Sequence, residues 1–345
     1  MAVVLLLSQG CLRRKLHLET SSARLELTVE NTRASGEQVE AGERYQVRVY
    51  GEDGIYRNST FVSPTGGNVF LPRGTYNVLA SRFDSPTVIL DGDGRYGTLR
   101  AYTRDASSNS RAMFNRLASE VMAKSPELVN ADGKVWEEFL TGPVAWEPGW
   151  FFSGKADNLE VPVRSTDDAI FVFQIRATTV VRPCTLTVRG LKGLTNIGAV
   201  TCFLTGLSRG VYLGTGEPDL EPVTITFDLP ISKNATEQKT EFRTFGFVPN
   251  AVERARSRGI APSRNSYPNT RNILFLLITD IAGGNYLFTF DVTDQCTVED
   301  GEISLDKTTD IVVDMDFTVP HPSHGGGGLA PTTEDWELVI HEIHI

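Results

Sequence analysis

ILFLLITDIAGGNYLFTFDVTDQC, running from Ile273 to Cys296, decides how this chain folds. Two apolar runs, Ile273 to Ile278 and Tyr286 to Val292, flank a connector that holds Gly283, Gly284 and Asn285. Leu, Ile, Phe and Tyr suit a pleated surface, and adjacent glycines supply the positive φ of a tight return. In the second run Tyr286, Phe288, Phe290 and Val292 share one face, and Leu287, Thr289 and Asp291 share the other. The spacing predicts a β-hairpin with one strongly apolar face, which a second layer has to cover. A β-sandwich is the simplest arrangement that does so.

The same pattern extends outward on both sides. In the second half, strands are expected at Ile170 to Ile175, Thr185 to Arg189, Ala199 to Leu204, Val211 to Leu213, Val223 to Phe227, Glu241 to Phe247 and Ile311 to Phe317. In the first half, Leu25, Leu27 and Val29 alternate with Glu26, Thr28 and Glu30, and Tyr45, Val47 and Val49 alternate with polar neighbours. Pro72, Arg73 and Gly74 punctuate a further hairpin. One segment breaks the rule. From Arg111 to Lys124, Met113, Leu117 and Val121 recur every four residues, which predicts one amphipathic helix lying across an open sheet edge. The expected fold is therefore all-β, two sandwich domains with one short helix in the first. The expected division is a signal remnant over residues 1–11, an N-terminal domain over 12–164 and a C-terminal domain over 165–345.

Composition excludes several classes of function. The 345 residues carry a formal charge of −10 with a pI near 5.1, so a phosphate backbone is repelled and nucleic-acid binding is not expected. No apolar run reaches the roughly 18 residues that a spanning helix needs. The start is unusual. An apolar run from Ala2 to Leu7 leads through Gly10 to Cys11, followed by Arg13, Arg14 and Lys15. This is either a buried first strand or the tail of a lipoprotein signal, with the true start codon upstream and Cys11 acylated to hold the chain on a membrane surface.

Candidate chemistry is sparse. Trp146 and Trp150, near Phe151 and Phe152, form either an aromatic wedge between domains or a platform that stacks on sugar rings. Cys184 and Cys202 sit on consecutive expected strands and are either a cross-strand disulfide or two buried thiols. Gly206 to Gly210 fits the G-x-S-x-G pattern around Ser208, but a nucleophile elbow needs a helix after it and a strand is expected here instead. His321 with His324, and His341 with His344, are spaced three apart, which on a strand sends the two rings to opposite faces. Asp91-Gly92-Asp93-Gly94 opens like a calcium loop, yet Tyr102 stands where the closing glutamate belongs. No catalytic residue, metal site or cofactor is expected.

Several motifs in series resemble one family. GGNVFLPRGTYNVLA followed by LRAYTRD, then LTGLSRGVYLGTGE, FRTFGFVPN, FTFDVTDQ and the glycine-tethered TEDWELVIHEI, are similar in kind and order to the fimbrillin-like proteins of Bacteroidales. The resemblance implies two transthyretin-like Greek-key sandwiches, export as a lipoprotein to the outer membrane, and a place in a fimbrium as tip, anchor or minor subunit. It also implies assembly by strand donation, in which a strand from one subunit fills an open sheet edge of the next. A cut after an arginine would release the first strand, with Arg13, Arg14, Arg24 and Arg33 as candidates. The segment Trp336 to Ile345 is either the donor strand or the last strand of its own sheet.

Overall fold

A computed structural model describes residues 21–124, 142–164, 170–248, 271–296, 303–321 and 338–342. The first sandwich is a seven-stranded sheet folded over on itself. One half contains β2 (Tyr45–Gly51), β3 (Tyr56–Val62), β5 (Gly74–Arg82) and β9 (Phe152–Val161), and the other contains β1 (Ser22–Val29), β4 (Gly66–Phe70) and β10 (Phe171–Thr179), in the order β3-β2-β5-β9-β10-β1-β4. The fold-over lies at β10, which meets β9 only at Thr178 and Thr179 but runs beside β1 from Phe171 to Ala177. Alternation explains the packing. Ala23, Leu25 and Leu27 of β1 point inward with Phe173, Ile175 and Ala177 of β10, and meet Val47, Val49, Val78 and Ala80 from the opposite half.

The second face of the β2–β5 half is also covered. A small sheet of β6 (Val88–Asp91), β7 (Arg100–Thr103) and β13 (Gly210–Tyr212) brings Val88, Ala101 and Val211 into the same core. The second sandwich faces a three-stranded sheet against a six-stranded one. The first has the order β15-β11-β18, from β11 (Arg182–Lys192), β15 (Glu237–Thr244) and β18 (Thr309–Thr318). The second has the order β19-β17-β16-β12-β14-β8, from β8 (Val144–Trp146), β12 (Ile197–Ser208), β14 (Pro222–Asp228), β16 (Ile273–Asp280), β17 (Asn285–Asp291) and β19 (Leu338–Glu342).

The hairpin β16–β17 forms as its sequence demands, but it has two buried faces rather than one. Leu274, Leu276, Ile278, Phe288 and Phe290 face the three-stranded sheet, while Ile273, Phe275, Leu277 and Leu287 face the other way. That second face is covered by the helix α1 (Ser108–Lys124), whose Phe114, Leu117, Ala118 and Val121 are buried there. The expected helix is present, yet it packs on the face of the later sheet, not across an edge of the earlier one. Phe114 touches both Phe203 and Phe275, with ring centroids 5.3 Å apart in each case.

The halves also exchange strands. β8 joins the six-stranded sheet by pairing parallel to β14, and β13 joins β7. The expected division between residues 164 and 165 falls between β9 and β10, two strands of the same sheet. Phe114→Ala should lower unfolding stability by about 3–5 kcal/mol, the usual loss for an aromatic removed from a packed core. A urea transition followed by circular dichroism checks this, and a shift below about 1 kcal/mol would mean that α1 does not cover the sheet.

Candidate assembly site

The strand that a donor mechanism would exchange is β1, and the structure shows how it is held. β1 runs parallel to β10, from Ala23↔Phe171 to Val29↔Ala177, and antiparallel to β4, from Ser22↔Phe70 to Glu26↔Gly66. Both of its edges are therefore bonded. Arg164 straps its start: Nη1 donates to Ser22 O and Nη2 to Leu71 O, each at 2.6 Å. At its end, the Glu30 amide donates to Ala177 O at 2.9 Å. Gly66 lets β4 come this close, because a Cβ there would sit 2.0 Å from Leu25 O on a backbone with φ of +103°.

Arg33 closes the far side of β1. Its Nη2 donates to both carboxylate oxygens of Glu241, at 2.7 and 2.8 Å, and the Ala34 amide donates to Asp306 at 3.0 Å. The Glu241 hydrogen bond raises the Arg33 pKa further above its already high value. Trp150 sits between two guanidinium groups, those of Arg33 and Arg243, each 5.5 Å from the ring centroid. Arg243 in turn binds Glu147 at 2.9 Å and Pro148 O at 3.0 Å, and burial pushes the Glu147 carboxyl up. This cluster clamps the end of β1 to β15 of the other sandwich.

The residues singled out from sequence end in separate places. Trp150 keeps 8% exposure inside the clamp, whereas Trp146 is 41% exposed on β8, so the pair does not make a joint sugar platform. Cys184 lies on β11 and Cys202 on β12, in opposite sheets of the second sandwich, and both are buried free thiols. A cross-strand disulfide is thus replaced by two thiols that fill the core. Ser208 is fully buried, with Oγ against Gly210 O at 2.8 Å and Asp219 O at 2.7 Å, and the strand β13 follows it. Asp91 accepts the Gly92 amide in a turn. Arg24 lies exposed on the outer side of β1. Cys11, Arg13, Arg14, His324 and His344 fall outside the described residues.

Of the candidate donor Trp336 to Ile345, residues Leu338–Glu342 form β19, an edge strand parallel to β17 from Asn285↔Leu338 to Thr289↔Glu342. It completes its own sheet in this structure. The clamp was not visible in sequence, since Arg33 and Glu241 stand 208 positions apart with no motif linking them. Val144 to Phe152 carries Glu147 as its single charged residue, so the segment itself gave no signal of the clamp.

Residues 10–228 match the family described as Domain of unknown function (DUF5119), and the chain belongs to that family. It is similar to the "Putative fimbrium anchoring subunit Fim4B" of Bacteroides ovatus, at 22% identity over 96% of this chain and 92% of that one. The crystal structure of a protein described as a putative adhesin from Bacteroides ovatus shares its fold, with a TM-score of 0.52, 19% identity, and coverage of 91% of this chain and 99% of the other. The fimbrial anchor protein Mfa2 of Porphyromonas gingivalis aligns more loosely, with a TM-score of 0.43, 12% identity, and coverage of 85% and 90%.

Glu241→Ala should speed trypsin cleavage after Arg33 by about tenfold, since a charged hydrogen-bonded pair of this kind contributes roughly 1–2 kcal/mol. Mass spectrometry of timed digests reads the rate, and equal rates would show that the clamp does not protect the bond. Thiol chemistry offers a second check. Burial pushes Cys296 up to about 12 and moves Cys184 and Cys202 in the same direction. These three thiols should stay unmodified by Ellman's reagent until the protein unfolds. An unfolded thiol titrates near 9 and Tyr50, raised by burial to about 12, near 10. The stability from keeping them protonated is whole below pH 9 and is lost as pH rises toward 12, which melting curves over that range will reveal.

Proposed function

We propose that this protein is a structural subunit of a bacterial surface fimbrium, without enzymatic activity, and that it occupies the anchoring end of the filament. The observation that carries the reading is the state of β1. A subunit that repeats along a strand-donated filament needs an open slot for its neighbour's strand. Here β1 fills its own slot, with both edges bonded, Arg164 at its start and the Arg33–Glu241 pair beyond its end. A closed slot suits a terminal position. The relative named as a fimbrium anchoring subunit, aligned over nearly the whole chain, supports the same assignment.

The remaining steps follow from chemistry. Acylation of Cys11 would tie the N-terminus to the outer membrane and leave the second sandwich facing outward. Its β17 edge, covered by β19 alone, is the surface through which a filament subunit would join. Release of β19 would expose unpaired backbone groups for a neighbour's strand. Sugar binding at Trp146 and Trp150 loses support, because Trp150 is buried.

Electron microscopy of a deletion strain tests the assignment. Filaments should appear in the medium rather than on cells, return to the cell surface with the wild-type gene, and fail to return with Cys11→Ala. Filaments still attached to deletion cells would overturn the proposal.

A further inference from the structure

Half of the eight buried side-chain nitrogen and oxygen atoms that find no hydrogen-bond partner among the described residues lie in one layer of the first sandwich. They are Gln46 Oε1, Arg48 Nη1 and Tyr50 OH on β2, and Ser81 Oγ on β5. Register explains the grouping. Val47 and Val49 point into the first core, so Gln46 and Arg48 point the other way, toward the small sheet of β6, β7 and β13. Gln46 pairs with Ser81 on one side and Phe61 on the other, and Arg48 pairs with Leu79 and Ser59. Tyr50 follows a register shift and joins the same layer, its ring centroid 6.1 Å from that of Tyr56 and 5.5 Å from that of Tyr96.

Arg48 stands apart from the other three. A guanidinium keeps its charge in a folded protein and brings five N–H donors with it. Arg48 is 5% exposed, its Nη1 is sealed from solvent, and no hydrogen bond, ion pair or ring contact holds it among the described residues. The other buried arginines are answered: Arg82 by Glu40, Asp84 and Trp150 O, and Arg164 by Ser22 O and Leu71 O. Asp93 is the acid whose field reaches Arg48, but it is exposed and forms no ion pair with it. Lys155, beside Leu79 on β9, is held by Gly214 O and Asp157. Burial accordingly pushes the Arg48 pKa below its ordinary value. Ser59, the β3 neighbour of Arg48, accepts from Gln46 Nε2 at 3.2 Å and Tyr56 OH at 3.0 Å, so its own proton is left to give.

We propose that Arg48 is the centre of an anion site that takes the carboxylate of a small organic acid, with Tyr50 OH and Ser59 Oγ as further donors. A buried charge is retained where it is paired and hydrogen-bonded, and a planar guanidinium matches the two oxygens of a carboxylate. One positive charge suits a monovalent ion, and the nearby charge of Asp93 works against a divalent one. Val88, Ala101 and Val211 of the small sheet give the layer an apolar wall, which strengthens any hydrogen bond made inside it. Entry is from β3, the end strand of the sheet, where Tyr56 and Phe61 are exposed. The site is independent of the fimbrial assignment, since it lies within one sandwich and uses neither β1 nor β19.

Calorimetric titration of the full chain with sodium acetate, against a constant background of sodium chloride, reads the site directly. Saturable binding with a dissociation constant of about 1 mM is expected for a pair of charge-assisted hydrogen bonds. Arg48→Met, similar in length and uncharged, should weaken it by about tenfold or more. Tyr50→Phe removes a hydroxyl that bonds to nothing in the protein, and should weaken it by about threefold. Sodium sulfate at matched ionic strength should give no saturable heat. Should Arg48→Met fail to fold, Arg48→Lys takes its place: it keeps the charge but cannot grip both oxygens, so acetate binding should again weaken. No saturable acetate heat, as when water alone serves the layer, would overturn the proposal. So would unchanged affinity in the Arg48 variants, or sulfate bound as tightly as acetate.

Discussion

Burial of both faces of the β12–β16–β17 sheet is the constraint on which the rest of the molecule depends. Along β16 nearly every position is apolar, whichever way the side chain points. A sheet of that kind is stable only as the middle of three layers. One cover is the sheet of β11, β15 and β18, drawn from the same second half of the chain. The other is α1, drawn from the first half. Because the helix is needed there, the chain has to cross from the first sandwich to the second and back. β8 follows α1 into the later sheet, and β9 returns to pair with β5.

That crossing has a consequence for the junction. The two sandwiches are not beads on a flexible string, since each contributes strands to the other's territory. Trp150 sits where they meet, and its ring faces attract guanidinium groups because the π system is negative there. Arg33 and Arg243 approach from different elements, and Glu241 and Glu147 neutralise them. The charges are partly shielded from water, so these pairs hold more strongly than ordinary surface bridges. The result ties the segment after β1 to the opposite sandwich, and with it the strand whose release would open the first sheet.

Much of this architecture was legible in the residue pattern. Alternation in β1 and β2, the glycine pair between β16 and β17, and the four-residue spacing from Met113 to Val121 each reported its local structure correctly. These signals are local, and a strand or helix of a few residues is set largely by its own period and turns. Two pairs whose alternatives the sequence left open were decided only by the fold, for a shared reason. Cys184 and Cys202 are neighbours in strand order but lie in facing sheets, and Trp146 and Trp150 are four residues apart but differ in burial. Proximity along the chain says nothing about which layer a strand joins.

By itself, the sequence determined that this is a β protein with one helix, acidic, without a spanning helix in its apolar runs, and similar in motif order to fimbrillin-like chains. The fold class, the charge and the lack of a spanning run follow from composition and short-range periodicity, and the similarity from the motifs themselves, none of which needs knowledge of contacts. Tertiary structure alone decided which sheet α1 covers, that β1 fills its own slot, and that Arg33 meets Glu241 across 208 positions. Such facts depend on long-range pairing, where the backbone energies of alternative strand orders are nearly equal and side-chain packing among distant residues selects one.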